Sequence, residues 1–256
     1  MVAKMHRMHL PGVGEGVLHV GSGSPYVVDD DPQYGVGDYV RFGRKAFVYA
    51  KVGTKGVVPD MGAKTSYLQK IGNVAVQAIA LINATEIAIT SNVDCTEDEL
   101  VGGEVVVFTG GEEKAFTRTI IGNDAVVSQP KTLTLQLDSP IPVALDTGDT
   151  AEVIRNPYAS VENTAQEWGM VMGMPVMVAA SGKYVFLQVE GVSWCAPAGS
   201  VGDGINEQMV VFAGDGSLRV PATGGWESAQ LAGVVICGNV AGNGQGAPFI
   251  MLQIAH

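Results

Sequence analysis

Thr132-Leu133-Thr134-Leu135-Gln136-Leu137 alternates polar and apolar residues without a break. That period of two belongs to a strand with one face in a core and the other toward solvent. Its three leucines are predicted to face one core. Glu86-Ile87-Ala88-Ile89-Thr90 alternates in the same way, and Phe47-Val48-Tyr49-Ala50-Lys51-Val52 is a β-prone run closed by Gly53-Thr54-Lys55-Gly56. Glu104 to Phe108 and Phe116 to Ile121 flank Thr109-Gly110-Gly111-Glu112-Glu113 as the arms of a hairpin.

Further along, Pro175 to Val178, Lys183 to Val189, Val192 to Cys195, Gln208 to Ala213, Ser217 to Val220, Ala229 to Cys237 and Pro248 to Ile254 form a second series of strands. Gly214-Asp215-Gly216 fits a tight turn between two of them. Two stretches stand apart. Asp94-Cys95-Thr96-Glu97-Asp98-Glu99-Leu100 has a helix start, with a capping residue and acids near the positive end. Asn73 to Ala84 reads equally as a buried helix or an extended segment. The expected class is all-β: mainly antiparallel, sandwich- or barrel-like, with two β domains and an extended N-terminal arm.

Glycine at 34 of 256 residues implies many turns, and charged residues at 16% fall below the ~25% usual in soluble domains. A large uncharged surface follows, and such surfaces tend to be buried against something. The net charge of −11 opposes binding to phosphate backbones, so nucleic acid is not expected as a partner. Seven of the fifteen basic residues, Lys4, Arg7, Arg41, Arg44, Lys45, Lys51 and Lys55, fall within the first 55 positions. They suit either an acidic partner surface or a solvated tail.

Met1 to Leu10 has no apolar core of a secretory signal. Apolar runs such as Val74 to Ile82 are far shorter than the ~20 residues of a membrane helix, and no membrane association is expected. Cys95, Cys195 and Cys237 are odd in number and widely spaced, which is neither a disulfide framework nor a zinc site. Cys195 and Cys237 are expected to act as small hydrophobes inside strands. The four histidines lie at positions 6, 9, 19 and 256. The acidic runs at Asp29-Asp30-Asp31-Pro32 and at Asp94 to Glu99 read as a turn and a helix start, without the spacing of a calcium loop. No enzymatic activity, metal or cofactor is expected.

Residues 1 to 44 combine many glycines and prolines with apolar side chains that a linker would not need. They read as an arm that orders by lying on another surface, with Val17, Leu18, Tyr26, Tyr34, Tyr39 and Phe42 as candidate anchors. The alternative is that these residues pack on their own domain. Of the tryptophans, Trp194 is expected in the core and Trp226 in an exposed loop. Trp168 heads a soft Met170, Met172, Met174 face suited to a core or to a subunit interface.

The ordered series Phe47-Val48-Tyr49-Ala50-Lys51, Thr132-Leu133-Thr134-Leu135, Pro140-Ile141-Pro142-Val143-Ala144-Leu145, Asn156-Pro157-Tyr158, Tyr184 to Gly191 and Phe249 to Ile254 resembles virion structural proteins of tailed bacteriophages, of the capsid cement or decoration type. The resemblance covers residues about 45 to 256. It implies a homo-oligomer, a trimer first and a dimer second, bound to the major capsid protein on the capsid surface of a virion assembled in the host cytoplasm. It also implies a main β domain of residues 45–74 plus 158–256, with residues 75–157 inserted; two sequential domains are the simpler arrangement. A tail or head fibre component binding host carbohydrate is the competing expectation, with Phe108 and Phe116 the aromatic residues of the insertion.

Overall fold

The chain was analysed as a computed structural model that describes residues 24–65, 69–110, 115–128, 130–163, 169–202, 208–221, 229–237 and 248–254. Strands β1 (Val28–Asp29), β2 (Tyr39–Phe42), β3 (Lys45–Lys51) and β4 (Ala63–Thr65) open it. Then come β5 (Gln69–Ala75), β6 (Glu86–Ser91), β7 (Glu104–Phe108), β8 (Ala115–Asn123), β9 (Lys131–Leu137) and β10 (Thr150–Ile154). Strands β11 (Val161–Glu162), β12 (Val171–Pro175), β13 (Tyr184–Trp194), β14 (Met209–Phe212), β15 (Leu218–Arg219), β16 (Leu231–Cys237) and β17 (Phe249–Gln253) complete it. The fold is all-β: two curled antiparallel sheets, each a half-barrel, with no helix among the described residues.

The smaller sheet has the order β5-β10-β7-β8-β9-β6. Leu133, Leu135 and Leu137 all enter its core, beside Ile87, Ile89, Val105, Val107 and Ile120. Each such side chain contributes ~1.5–3 kcal/mol of transfer energy when fully buried, so the alternation of β9 is also what holds the sheet closed. Asn73 to Ala84 is extended. It continues β5 by bridging Val76 to Ile89 and Ala80 to Leu145, because neighbouring strands supply the backbone partners that a helix would have supplied internally.

The expected helix start at Asp94 to Leu100 is instead a turn. The Thr96 amide does donate to Glu99 Oε2 at 3.0 Å, as a capping pair would. The side chain of Asn123 then takes over, accepting from the Leu100 amide at 2.8 Å and donating to the Thr96 carbonyl at 2.9 Å. Asp98 at φ 58° turns the chain, and Leu100 is carried into the core of the small sheet.

The larger sheet is organised by β13. One edge pairs with β3 from Tyr184 to Glu190, while β1, β12 and β17 pair with it at Val185, Leu187 and Val192 respectively. The two runs expected at Lys183 to Val189 and Val192 to Cys195 are one strand. A bulge after Gln188 separates them, and Gly191 at φ 97° lets the strand pass close to Arg44, where a side chain would meet the Arg44 carbonyl. The Gln188 amide caps the irregularity by donating to the carbonyls of Glu190 and Val192 at 3.2 and 3.0 Å.

Strand β3 is buried on both faces, which accounts for its continuous apolar run. Ala46, Val48 and Ala50 join Val185, Leu187 and Val189 in the main core. Phe47 and Tyr49 point the other way and form a second layer with Val40 and Phe186. That layer corrects the reading of residues 1–44 as an arm laid over another surface for residues 24–44, residues 1–23 lying outside the described residues. β1 and β2 are strands of this same sheet, and the aromatic side chains between them close over its outer face. The Tyr34 ring stands edge-on to Tyr49 at 5.2 Å, and Tyr49 donates its hydroxyl to Asp29 at 2.6 Å.

The sheets join through Asn156, whose side chain donates to the Val36 carbonyl at 2.9 Å and accepts from the Tyr158 amide at 3.0 Å. Among the described residues no helix is long and apolar enough to cross a membrane.

Candidate functional site

Beyond Gln188 no described segment covers the outer face of the large sheet. Register places Val192 opposite Met251, Met251 opposite Val234, and Val234 opposite Met209, so one apolar row crosses β13, β17, β16 and β14. All four side chains are exposed. A second row runs from Trp194 through Phe249 to Cys237, with exposed Ile236 and Leu231 beside the two rows on β16.

The alternation of β17 produces this face. Ile250 and Leu252 fill the main core while Phe249 and Met251 stand outward, in positions where a half-exposed strand ordinarily carries polar residues. Gly233, at φ 151°, allows β16 and β17 to lie flat against each other, since a side chain there would collide with the Met251 carbonyl.

At the border between covered and uncovered halves lies a recess of about 230 Å³ lined by Lys45, Gln188, Val192, Ser193, Trp194 and Phe249. Lys45 Nζ donates to Gln188 Oε1 at 3.3 Å. Trp194 is half-buried at this rim, not in the core as expected, and its buried Nε1 has no hydrogen-bond partner among the described residues.

A second apolar surface crowns the small sheet. Ile79, Leu81 and Ile82 are 73%, 72% and 57% exposed, yet their backbone is fixed. Ala80 and Leu145 exchange both amide hydrogen bonds, and the Asn83 amide donates to the Ile141 carbonyl at 3.0 Å. The tip is therefore a fixed segment with three exposed aliphatic side chains.

Of the expected anchors, Tyr26 and Phe42 pack edge-on against Phe47 at 6.2 and 6.1 Å while remaining partly exposed. Tyr34 belongs to the outer aromatic layer and Tyr39 packs against the main core. Val17, Leu18, Trp168 and Trp226 lie outside the described residues. Met172 and Met174 fill the main core, whereas Met170 is exposed. In the small sheet Phe108 is partly exposed, and Phe116 has the Arg118 guanidinium over its ring at 5.4 Å.

Cys195 is buried as expected, and burial pushes its thiol up to about 12, which keeps it protonated and unreactive. Cys237 is exposed, contrary to expectation, because the bulge between Val235 and Cys237 turns the end of β16 outward. No group of three or more His, Cys, Asp or Glu is placed to hold a metal ion among the described residues.

The sequence reading found strands near β14, β16 and β17 but assigned neither of their faces, and so did not mark the uncovered one. A signal was present: from Ala229 to His256 no Asp, Glu, Lys or Arg occurs, in a chain with 41 such residues. Strands that alternate but carry no charge on either face have no face suited to solvent. No protein-family model, curated protein or solved structure matches this chain.

Proposed function

We propose that this chain is a structural protein of a phage particle: a cement or decoration protein that binds the lattice of the major capsid protein as a homo-oligomer, on the capsid surface, without catalysis. The observation that carries the reading is the presence of two separate apolar surfaces, the uncovered sheet face and the Ile79-Leu81-Ile82 tip, on a chain of net charge −11. A protein that decorates a shell needs one surface to hold its copies together and another to seat them. Exposed apolar area of this extent is characteristic of interaction sites.

Stabilisation would follow from linkage. A protein that binds the assembled lattice more tightly than free subunits draws the equilibrium toward the shell, and an oligomer that engages several subunits at once gains through effective concentration. The test is co-sedimentation of the purified chain with assembled shells and with unassembled capsid protein of the phage whose genome encodes it. Binding at least about tenfold tighter to shells is expected. Equal binding to both, or none to either, overturns the proposal.

A further inference from the structure

We infer that the uncovered face of β13, β14, β16 and β17 is where a second copy of this chain packs, face to face about a two-fold axis. This deepens the proposed function by assigning one of the two apolar surfaces to self-association, and it places the two-fold pair ahead of the three-fold ring that the sequence resemblance implied.

Three properties of the face select this occupant. The first is charge. Two copies each carrying −11 repel, and close approach is least costly where acidic side chains are missing. β16 and β17 contain no charged residue, and the bordering Glu190 is already paired with Arg41. The second is extent. Val192, Met209, Leu231, Val234, Ile236, Phe249 and Met251 are all exposed and adjoin one another across the four strands, an apolar centre of the kind found in stable interfaces of ~800 Å² per partner.

The third is shape. The patch runs as a row in register across four strands, so a two-fold axis sets the row of one copy against the same row of the other. A self-matching patch generates a closed pair, whereas a ring needs two different patches that fit each other. The tip is the one other apolar surface described above, and a head-to-tail contact of tip on face is the arrangement that must be separated from the pair.

Sedimentation velocity of the full chain across about 0.1–50 µM reads the stoichiometry, with Met251→Glu, Val234→Glu and Ile79→Ser/Leu81→Ser as the variants. All the altered side chains are exposed in the single chain, and unchanged circular dichroism and urea midpoint for the isolated subunit verify the fold. The wild type is expected to form two-copy particles. Each glutamate appears twice in a symmetric interface and is expected to raise the dissociation constant more than about 100-fold, while the tip variant keeps the wild-type constant.

A wild type that stays single at the highest concentration, a three-copy particle, or glutamate variants that still pair would each overturn the inference. So would loss of pairing in the tip variant, which would assign a head-to-tail contact. Shell co-sedimentation separates this from the functional reading. A chain that pairs but ignores shells removes the decoration role and leaves the interface. A chain that stays single, and whose binding to shells is lost in Met251→Glu, gives this face to the capsid protein.

Discussion

Phe186 and Phe249 stand on the same outer face of one sheet, yet Phe186 is 4% exposed and Phe249 is 42% exposed. The strands beneath them are alike in hydrophobicity, and both place an aliphatic core on the inner side. What differs is chain connectivity. Residues 26–42 lead into β3 and fold back across its outer face, so the Tyr34 ring covers Phe186 at 5.4 Å, beside Tyr49 of β3 at 4.9 Å. No described segment crosses β17 in the same way. One half of the face is thus satisfied within the chain, and the other half has the composition of a core whose partner side no described segment supplies.

The largest expected effect is the contrast between these two phenylalanines. Phe186→Ala should destabilise the fold by ~3–5 kcal/mol, because the outer aromatic layer is stapled between two strands and cannot collapse into the space left. Phe249→Ala, measured at a dilution where copies are apart, should stay within ~1 kcal/mol, as for an exposed side chain with few neighbours. Urea denaturation of both variants checks the comparison. Equal losses would mean that the second half is covered too, and the distinction between the halves would fall.

A smaller effect tests what seals the covered half. Burial raises the pKa of the Tyr49 hydroxyl well above its ordinary 10.0, and its hydrogen bond to Asp29 adds to the shift. The folded state therefore holds this proton at a pH where the unfolded chain has released it. Stability from the group is complete below pH ~10 and is lost as pH rises from there. Tyr49→Phe should cost ~1–2 kcal/mol at neutral pH through the lost hydrogen bond, and should make the decline above pH 10 shallower. Some decline should remain, since burial also pushes Tyr158 and Cys195 up to about 12. Unfolding midpoints of both proteins between about pH 8 and 11.5 give the two slopes. Parallel slopes would remove Tyr49 from the alkaline limb.

The same contrast explains what was legible in the sequence. Thr132 to Leu137 and Glu86 to Thr90 could be read because each has one face in a core and one in solvent, and alternation records that difference. The joined strand Tyr184–Trp194 read as two pieces, since Gly191 resembles a terminator when the strand runs on through it just past the bulge after Gln188. Tyr26, Tyr34 and Phe42 announced that residues 24–44 must cover something. Their chemistry is the same for a neighbour's surface and for their own sheet, so pairing alone could decide it, through Val28 opposite Val185 and Val40 opposite Phe47.

The uncovered half failed for the reverse reason. The continuous apolar run Phe249-Ile250-Met251-Leu252 is equally consistent with a strand buried on both faces, and only the structure shows one face open. The helix start at Thr96 had sound local chemistry and was overruled by a tertiary contact from Asn123, 27 residues away.

The smallest effect belongs to the border between the halves. Arg41 Nη2 lies 2.5 Å from Glu190 Oε2, Nη1 lies 3.2 Å from Oε1, and Nη2 also donates to the Tyr39 hydroxyl at 3.1 Å. The pair ties β2 to β13 beside the bulge, where the covered layer ends. Both side chains remain 37% exposed, so water and salt screen the attraction. Glu190→Gln should lower the melting temperature by only ~1–2 °C at low ionic strength, and the difference should vanish near about 0.5 M salt. A loss that persists in high salt would mean that Glu190 holds the bulge by geometry and not by charge. The edge of the uncovered face would then be part of the folding core, and the boundary between the halves would have to be moved toward Val192.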